Sequence, residues 1–171
     1  MMKKTAIALL LFSSTPSIAN TLHISPEMKF GPYVGAGISG GGLQLGVADT
    51  LGFDAIYLSY SHTSAEFLYF DKDRLKTYRL GAQYQLVNTP RMSLQLEGGW
   101  VEYEGSKKEF MGSNIRHKSG TGASASAAWV VGVTENIGFR AGADFNYIDN
   151  SNTFLSNSLS VTFSTGVVFT F

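Results

Sequence analysis

From position 158 to the end, apolar and polar residues alternate almost without fault. Leu159, Val161, Phe163, Val167, Phe169 and Phe171 are apolar, with Thr165 the single lapse. Ser158, Ser160, Thr162, Ser164, Gly166 and Thr170 are small or polar, with Val168 the exception. A period of two sends successive side chains to opposite faces, which predicts a strand greasy on one side and wet on the other. Its length suits a tilted strand crossing a bilayer, about 9–11 residues plus an overhang. The same period recurs upstream. Over 137–147, Ile137, Phe139, Ala141, Ala143, Phe145 and Tyr147 oppose Gly138, Arg140, Gly142, Asp144 and Asn146. Over 92–103, Met92, Leu94, Leu96, Gly98 and Trp100 oppose Ser93, Gln95, Glu97 and Gly99. Over 75–86, Tyr78, Leu80, Ala82, Tyr84 and Leu86 oppose Thr77, Arg79, Gly81, Gln83 and Gln85. Apolar side chains outward and polar ones inward is the pattern of a membrane barrel with a hydrogen-bonded interior.

The remaining segments are less regular. Over 120–133 the outer face is thin, with Ala123, Ala125 and Ala127 ahead of Trp129, Val131 and Val133. It reads either as a weakly apolar lipid face or as a close packing contact. Over 53–70, Ile56, Leu58 and Tyr60 share one face, whereas Ala65, Phe67 and Tyr69 have the opposite parity. A β-bulge near 61–64 is therefore expected. Segments 30–38 and 41–47 supply two short strands joined at Ser39-Gly40-Gly41, which brings the count to eight. Short turns at 49–52, 87–91 and 134–136 alternate with links at 39–40, 71–74, 105–118 and 148–157. Short periplasmic turns and longer, more polar external loops are the rule for outer-membrane barrels, so both termini are expected on the periplasmic side.

The start of the chain adds an export signal. Lys3 and Lys4 precede an apolar run over 6–12, and a small, polar stretch closes with Ser17-Ile18-Ala19. This is the order of a secretory signal peptide, too short in its apolar part to span a bilayer. Cleavage after Ala19 would leave 20–171 as a single barrel domain of 152 of the 171 residues. Composition agrees, with 12 Phe, 8 Tyr, 2 Trp and 19 Gly against only 15% charged residues. Cysteine is absent, which excludes disulfides and thiol chemistry. Without Lys3 and Lys4 the 13 basic side chains fall to 11 against 13 acidic ones. That balance gives no basic stripe for nucleic acid.

In layout the chain resembles the small eight-stranded outer-membrane barrels of Gram-negative bacteria. These are the OmpA membrane domain, the OmpX/Ail group and the opacity-like members of the porin superfamily. The opening Met2-Lys3-Lys4-Thr5-Ala6-Ile7-Ala8 is similar to an OmpA-type leader. The glycine-rich pieces Gly35-Ala36-Gly37-Ile38 and Gly42-Leu43-Gln44-Leu45-Gly46 are similar to hairpins of such barrels. The resemblance implies an all-β, transmembrane, antiparallel up-and-down barrel, present as a monomer. It implies that Phe171 is the barrel-assembly signal and that the assembly machinery is a partner. No peptidoglycan-binding domain like that of OmpA is expected after Phe171.

Candidate chemistry follows from which side chains face where. An eight-stranded barrel is just wide enough for side chains to fill. Arg79, Glu97, Arg140 and Asp144 share the inward parity, and buried charges must pair. Pairing about Asn88 puts Arg79 opposite Glu97, and a two-residue shift makes them diagonal neighbours. Such a network is a rigid plug, or, with exchanged partners, the gate of a narrow small-solute channel. His62-Thr63-Ser64 with Glu66 superficially resembles the elements of the outer-membrane lipid A deacylase, but it falls in an early strand where that family uses a late one. The outer-membrane palmitoyltransferase needs an initial amphipathic helix, for which 21–30 is too short and carries Pro26. No catalysis, cofactor or metal is expected; His23, His62 and His117 are scattered. The segment 105–118 carries Lys107, Lys108, Arg116, His117 and Lys118 against a single Glu109. It reads as a solvated external loop neutralising lipopolysaccharide phosphates, or as an adhesin-like surface for a host or polyanionic ligand. The expected role is structural or surface-interacting.

Overall fold

The computed structural model describes residues 22–31, 38–67, 71–89, 91–108 and 115–171. The expected leader, the mature start at Asn20 and the segments 32–37, 68–70 and 109–114 lie outside these residues. Eight strands occur among the described residues: β1 (Leu22–Phe30), β2 (Ile38–Thr50), β3 (Phe53–Phe67), β4 (Asp71–Gln85), β5 (Met92–Lys108), β6 (Ile115–Gly132), β7 (Ile137–Tyr147) and β8 (Leu159–Thr170). They form a closed barrel in chain order, each antiparallel to the next, with β1 paired to β8. The fold class expected from the alternation is the one observed. Closure leaves no long row of unpaired backbone in the barrel wall, a requirement for any sheet that faces lipid.

The alternation sorts as the pattern predicts. Leu58, Leu80, Leu96, Trp129, Phe139 and Phe163 stand exposed on the outer wall, while Arg79, Glu97, Arg140 and Asp144 are buried inside. The three short turns lie at one end with Leu22 and Phe171, hereafter the turn end. At 49–52 the chain reverses through positive φ at Asp49, Leu51 and Gly52. The other end carries the remaining connections, including the link 148–158 with a single turn of 3-10 helix at Asn150–Asn152.

Three expectations are corrected. The first strand is Leu22–Phe30, not 30–38, and Ser39-Gly40-Gly41 lies inside β2 instead of joining two strands. Leu22, Ile24, Pro26, Met28 and Phe30 alternate with buried His23, Ser25, Glu27 and Lys29 in that strand. Pro26 is tolerated because it sits at the closing seam, where the recorded pairs with β8 skip Ser25 and Pro26. Second, β3 has no bulge at 61–64, since its pairing runs unbroken from Ala55↔Gln83 to Phe67↔Asp71. Ala65 is simply a small residue facing inward, buried opposite Asp73 and next to the inward Thr63. The register shift recorded among the described residues falls between Lys29 and Phe30. Third, the links expected at 71–74 and 105–118 are largely strand. Asp71 opens β4, and β5 and β6 pair as far as Lys108↔Ile115.

Candidate functional site

The lumen is filled at mid-height by six charges. Arg79 on β4 and Glu97 on β5 are diagonal neighbours, because the register pairs Arg79 with Gly99 and Gly81 with Glu97. Their Nε and Oε2 atoms lie 3.1 Å apart. Arg79 Nη1 reaches Asp144 Oδ1 at 3.0 Å. Lys29 Nζ lies 2.5 Å from Asp144 Oδ2 and 2.7 Å from Glu27 Oε1. Arg140 Nη1 donates to Glu27 Oε2, and its Nη2 donates to Glu97 Oε1 at 3.2 Å. The order Glu27, Lys29, Asp144, Arg79, Glu97, Arg140 therefore returns to Glu27: a closed ring of alternating sign. Every member is at most 6% exposed, and three cations balance three carboxylates. An isolated buried charge costs several kcal/mol, and here each has an opposite charge on both sides.

Neutral side chains add hydrogen bonds to the ring on the turn-end side. Gln44 Nε2 donates to Glu97 Oε1 at 2.6 Å, and Arg140 Nε donates to Gln95 Oε1 at 2.7 Å. Tyr57 stacks on His23 at 4.9 Å between ring centroids, and His23 meets Gln44 at 3.3 Å. Among the described residues no group of three or more His, Asp or Glu side chains is placed to hold a metal.

Beyond the ring, towards the link end, the lumen changes character. Leu75, Val101, Tyr103 and Ile148 form an apolar cluster against which Leu155 packs. The Tyr103 hydroxyl donates to Asp73 and accepts the Phe154 backbone N–H at 3.0 Å. Link 148–158 is thus folded onto the barrel mouth as a strap. Lys118 holds it from β6, donating to the Thr153 carbonyl at 2.7 Å, with its ammonium 5.1 Å from the Phe154 ring centroid. Asp149 accepts the Ser151 backbone N–H at 2.8 Å, which keeps its carboxyl below the usual carboxylate range.

The expected basic loop is a strand pair. Lys107 lies opposite Arg116, Ser106 opposite His117 and Gly105 opposite Lys118. Its cations are consequently split between the two faces of a sheet, and Lys118 is occupied by the strap. His62 and Ser64 lie along the outer face of β3, with the parity of Leu58 and Tyr60. Phe171 ends the chain beside β1, exchanging backbone hydrogen bonds with Leu22 at 2.9 and 3.0 Å.

The outer wall is ordered in rows across β3–β7. Tyr60, Tyr78, Trp100, Ala123 and Tyr147 are successive partners in one row, with Tyr78 and Trp100 stacked at 5.5 Å. Tyr84, Leu94 and Trp129 form another row nearer the turn end. Two girdles of aromatic residues bracketing an apolar band mark the two interfaces of a membrane barrel. Above the upper girdle lie the rows Arg74–Glu104–Ser119 and Lys72–Ser106–His117. These six residues, with Gly105 and Lys118, line a cavity of about 370 Å³.

A closed eight-stranded barrel with a charged lumen, an apolar belt and aromatic girdles is the fold of the small outer-membrane proteins. The chain belongs to a family described as "Protein of unknown function, DUF481", whose model matches residues 55–166. Solved structures share the fold. The N-terminal β-barrel domain of Pseudomonas aeruginosa OprF is 16% identical, with a TM-score of 0.61 over 89% of this chain and 98% of that one. Ail, the attachment invasion locus protein of Yersinia pestis, is 13% identical, with a TM-score of 0.61 over 88% and 95%. Neisserial surface protein A is 17% identical, with a TM-score of 0.54 over 88% and 95%. No curated protein matches the chain.

Proposed function

We propose that this chain is exported through a leader at 1–19 and inserted in the outer membrane as a monomer. There it serves as a non-catalytic structural barrel whose link end meets the cell's surroundings. The observation that carries this reading is the outer wall: an apolar band between two aromatic girdles, closed around a lumen that the six-charge ring and the strap fill. With the turn end and both termini periplasmic, β5 and β6 carry Lys107, Lys108, Arg116 and His117 outward from the membrane. A polyanionic surface ligand suits those cations. The Yersinia pestis Ail protein has been solved with the heparin analogue sucrose octasulfate. The position of Phe171 at the β1–β8 seam suits a role as the signal read by the barrel assembly machinery.

A narrow channel is the second reading. Ser25, Ser59, Ser160 and Thr162 have buried hydroxyl oxygens without a partner among the described residues. Buried hydroxyls are ordinarily satisfied by ordered water, and those on the inward faces of β1, β3 and β8 would offer a solute polar contacts along the lumen. Two measurements decide. The protein is expected to fractionate with the outer membrane and to migrate heat-modifiably on gels, and deletion of Phe171 is expected to abolish both. Reconstituted in planar bilayers it is expected to show no steady conductance. Recovery as a soluble periplasmic protein would overturn the barrel reading, and stable open channels would favour the second one.

A further inference from the structure

We infer that the outer wall of β4–β6 holds a phosphorylated, acylated sugar lipid, seated with its headgroup in the cavity above the aromatic girdle. This inference rests on the membrane reading given above and names a partner for one face of the barrel. The first observation is the chemistry of the cavity. Arg74 and His117 are exposed there, and Arg74, cross-strand from Glu104, makes no ion pair within 4 Å among the described residues. A guanidinium fork is the donor set best matched to a phosphate. Ser106 and Ser119 add hydroxyls, and Glu104, 3.4 Å from Lys76, adds an acceptor. A bare phosphate has no use for a carboxylate beside it, whereas a sugar hydroxyl donates to one.

The second observation is position. Arg74 lies four residues along β4 from Tyr78, about 13 Å along the strand at a rise of ~3.3 Å per residue and about 10 Å along the membrane normal at a tilt of about 40°. A group held there sits one headgroup above the interface that the girdle marks. The third is the wall below. Under Trp100 the outer face falls away to Gly98, Ala125 and Ala127, between the larger Leu80 and Leu96 on one side and Phe145 on the other. A Cβ built on Gly98 meets nothing within 4 Å. The furrow runs from the cavity into the apolar band, along the path an acyl chain must take if its headgroup is anchored above. The thin outer face of β6 is the seat of that chain.

The test uses the mature protein reconstituted in phosphatidylcholine vesicles doped with diphosphoryl lipid A, then extracted in mild detergent for native mass spectrometry. Wild type is expected to retain lipid A, and R74Q/H117Q to retain roughly tenfold less, the loss of one strong charge-assisted contact. Dephosphorylated lipid A and glucosamine 6-phosphate are not expected to be retained, and heparin oligosaccharide is not expected to displace the lipid. Heat-modifiable migration reports separately whether each variant is a folded barrel. Should R74Q/H117Q fail to fold, Gly98→Leu decides, because it fills the furrow without touching a charge and is expected to lower retention severalfold. Equal retention by wild type and the folded variants overturns the site. Retention of the soluble phosphosugar overturns the lipid in favour of a free sugar phosphate, and displacement by heparin in favour of a polysaccharide. Loss of outer-membrane fractionation would overturn the membrane reading instead, and it is scored in cells, apart from these vesicles.

Discussion

The two halves of the lumen are filled by opposite means. At mid-height, six charges on β1, β4, β5 and β7 form a ring in which every sign alternates. Towards the link end, Leu75, Val101, Tyr103 and Ile148 pack under a strap held by one ammonium and one hydroxyl. The difference follows from what lies outside each level. Where the wall faces hydrocarbon, polar contacts inside are not diluted by water, so a balanced ring has large leverage and no tolerance for a missing member. Where the strands project past the girdle, water returns, and burying apolar surface becomes the effective adhesive.

Substitutions in the two halves should therefore differ in size. The largest effect is expected from Arg140→Met, which opens the ring at Glu27 and Glu97 together; the loss is on the order of 3–5 kcal/mol. Urea unfolding in lipid vesicles, followed by gel migration, would show it, and a wild-type midpoint would break the contrast. Charge reversal at Arg79 or Glu97 should cost a similar amount, and R79E/E97R should recover part of the loss in a double-mutant cycle. A cycle without coupling would mean that the 3.1 Å contact contributes nothing. Tyr103→Phe, in the apolar half, removes the hydroxyl shared by Asp73 and the Phe154 N–H, and about 1–2 kcal/mol is expected. Lys118→Gln should cost less than about 1 kcal/mol, because its strap contacts are partly solvated. Hydrogen exchange at Thr153 and Phe154 should report it better than global stability. The smallest change is expected when Lys107, Lys108 and Arg116 become Gln, within about 0.5 kcal/mol. Binding of intact cells to heparin should fall in that variant, and wild-type binding should fall with salt. Equal binding at low salt would remove the case for a polyanion surface.

Much of this architecture was legible because period two is a property of the backbone, and strands β4, β5, β7 and β8 obey it in sequence. The inward set Arg79, Glu97, Arg140 and Asp144 could be read from parity alone. Glu27 and Lys29 could not be read so easily, for two reasons. Pro26 interrupts the look of a strand, and only the seam explains why it is tolerated there. The omitted pair is also neutral as a unit, so the four charges found already balanced and gave no hint of a missing partner. The supposed bulge in β3 had a similar origin. Apolarity alone does not give parity there, because Ala65 is a small residue that faces the lumen opposite buried Asp73. The basic segment looked like a loop because its residues are polar on both faces, which is what strands above a membrane require.

The ring also bears on how the barrel reaches its final state. Glu27 and Lys29 belong to the first strand, and their partners Arg140 and Asp144 belong to the seventh, with β8 between them. In a sheet that has curled but not closed, these residues lie towards opposite edges. Arg140 and Asp144 then lack their β1 counter-charges, however well the hairpins between have formed. The last two ion pairs form only when β8 meets β1, so the electrostatic gain arrives at the step that joins the ends. Contacts so distant along the chain form late and slowly. The ring thus works as a latch on assembly: a barrel that has not closed in register cannot lock.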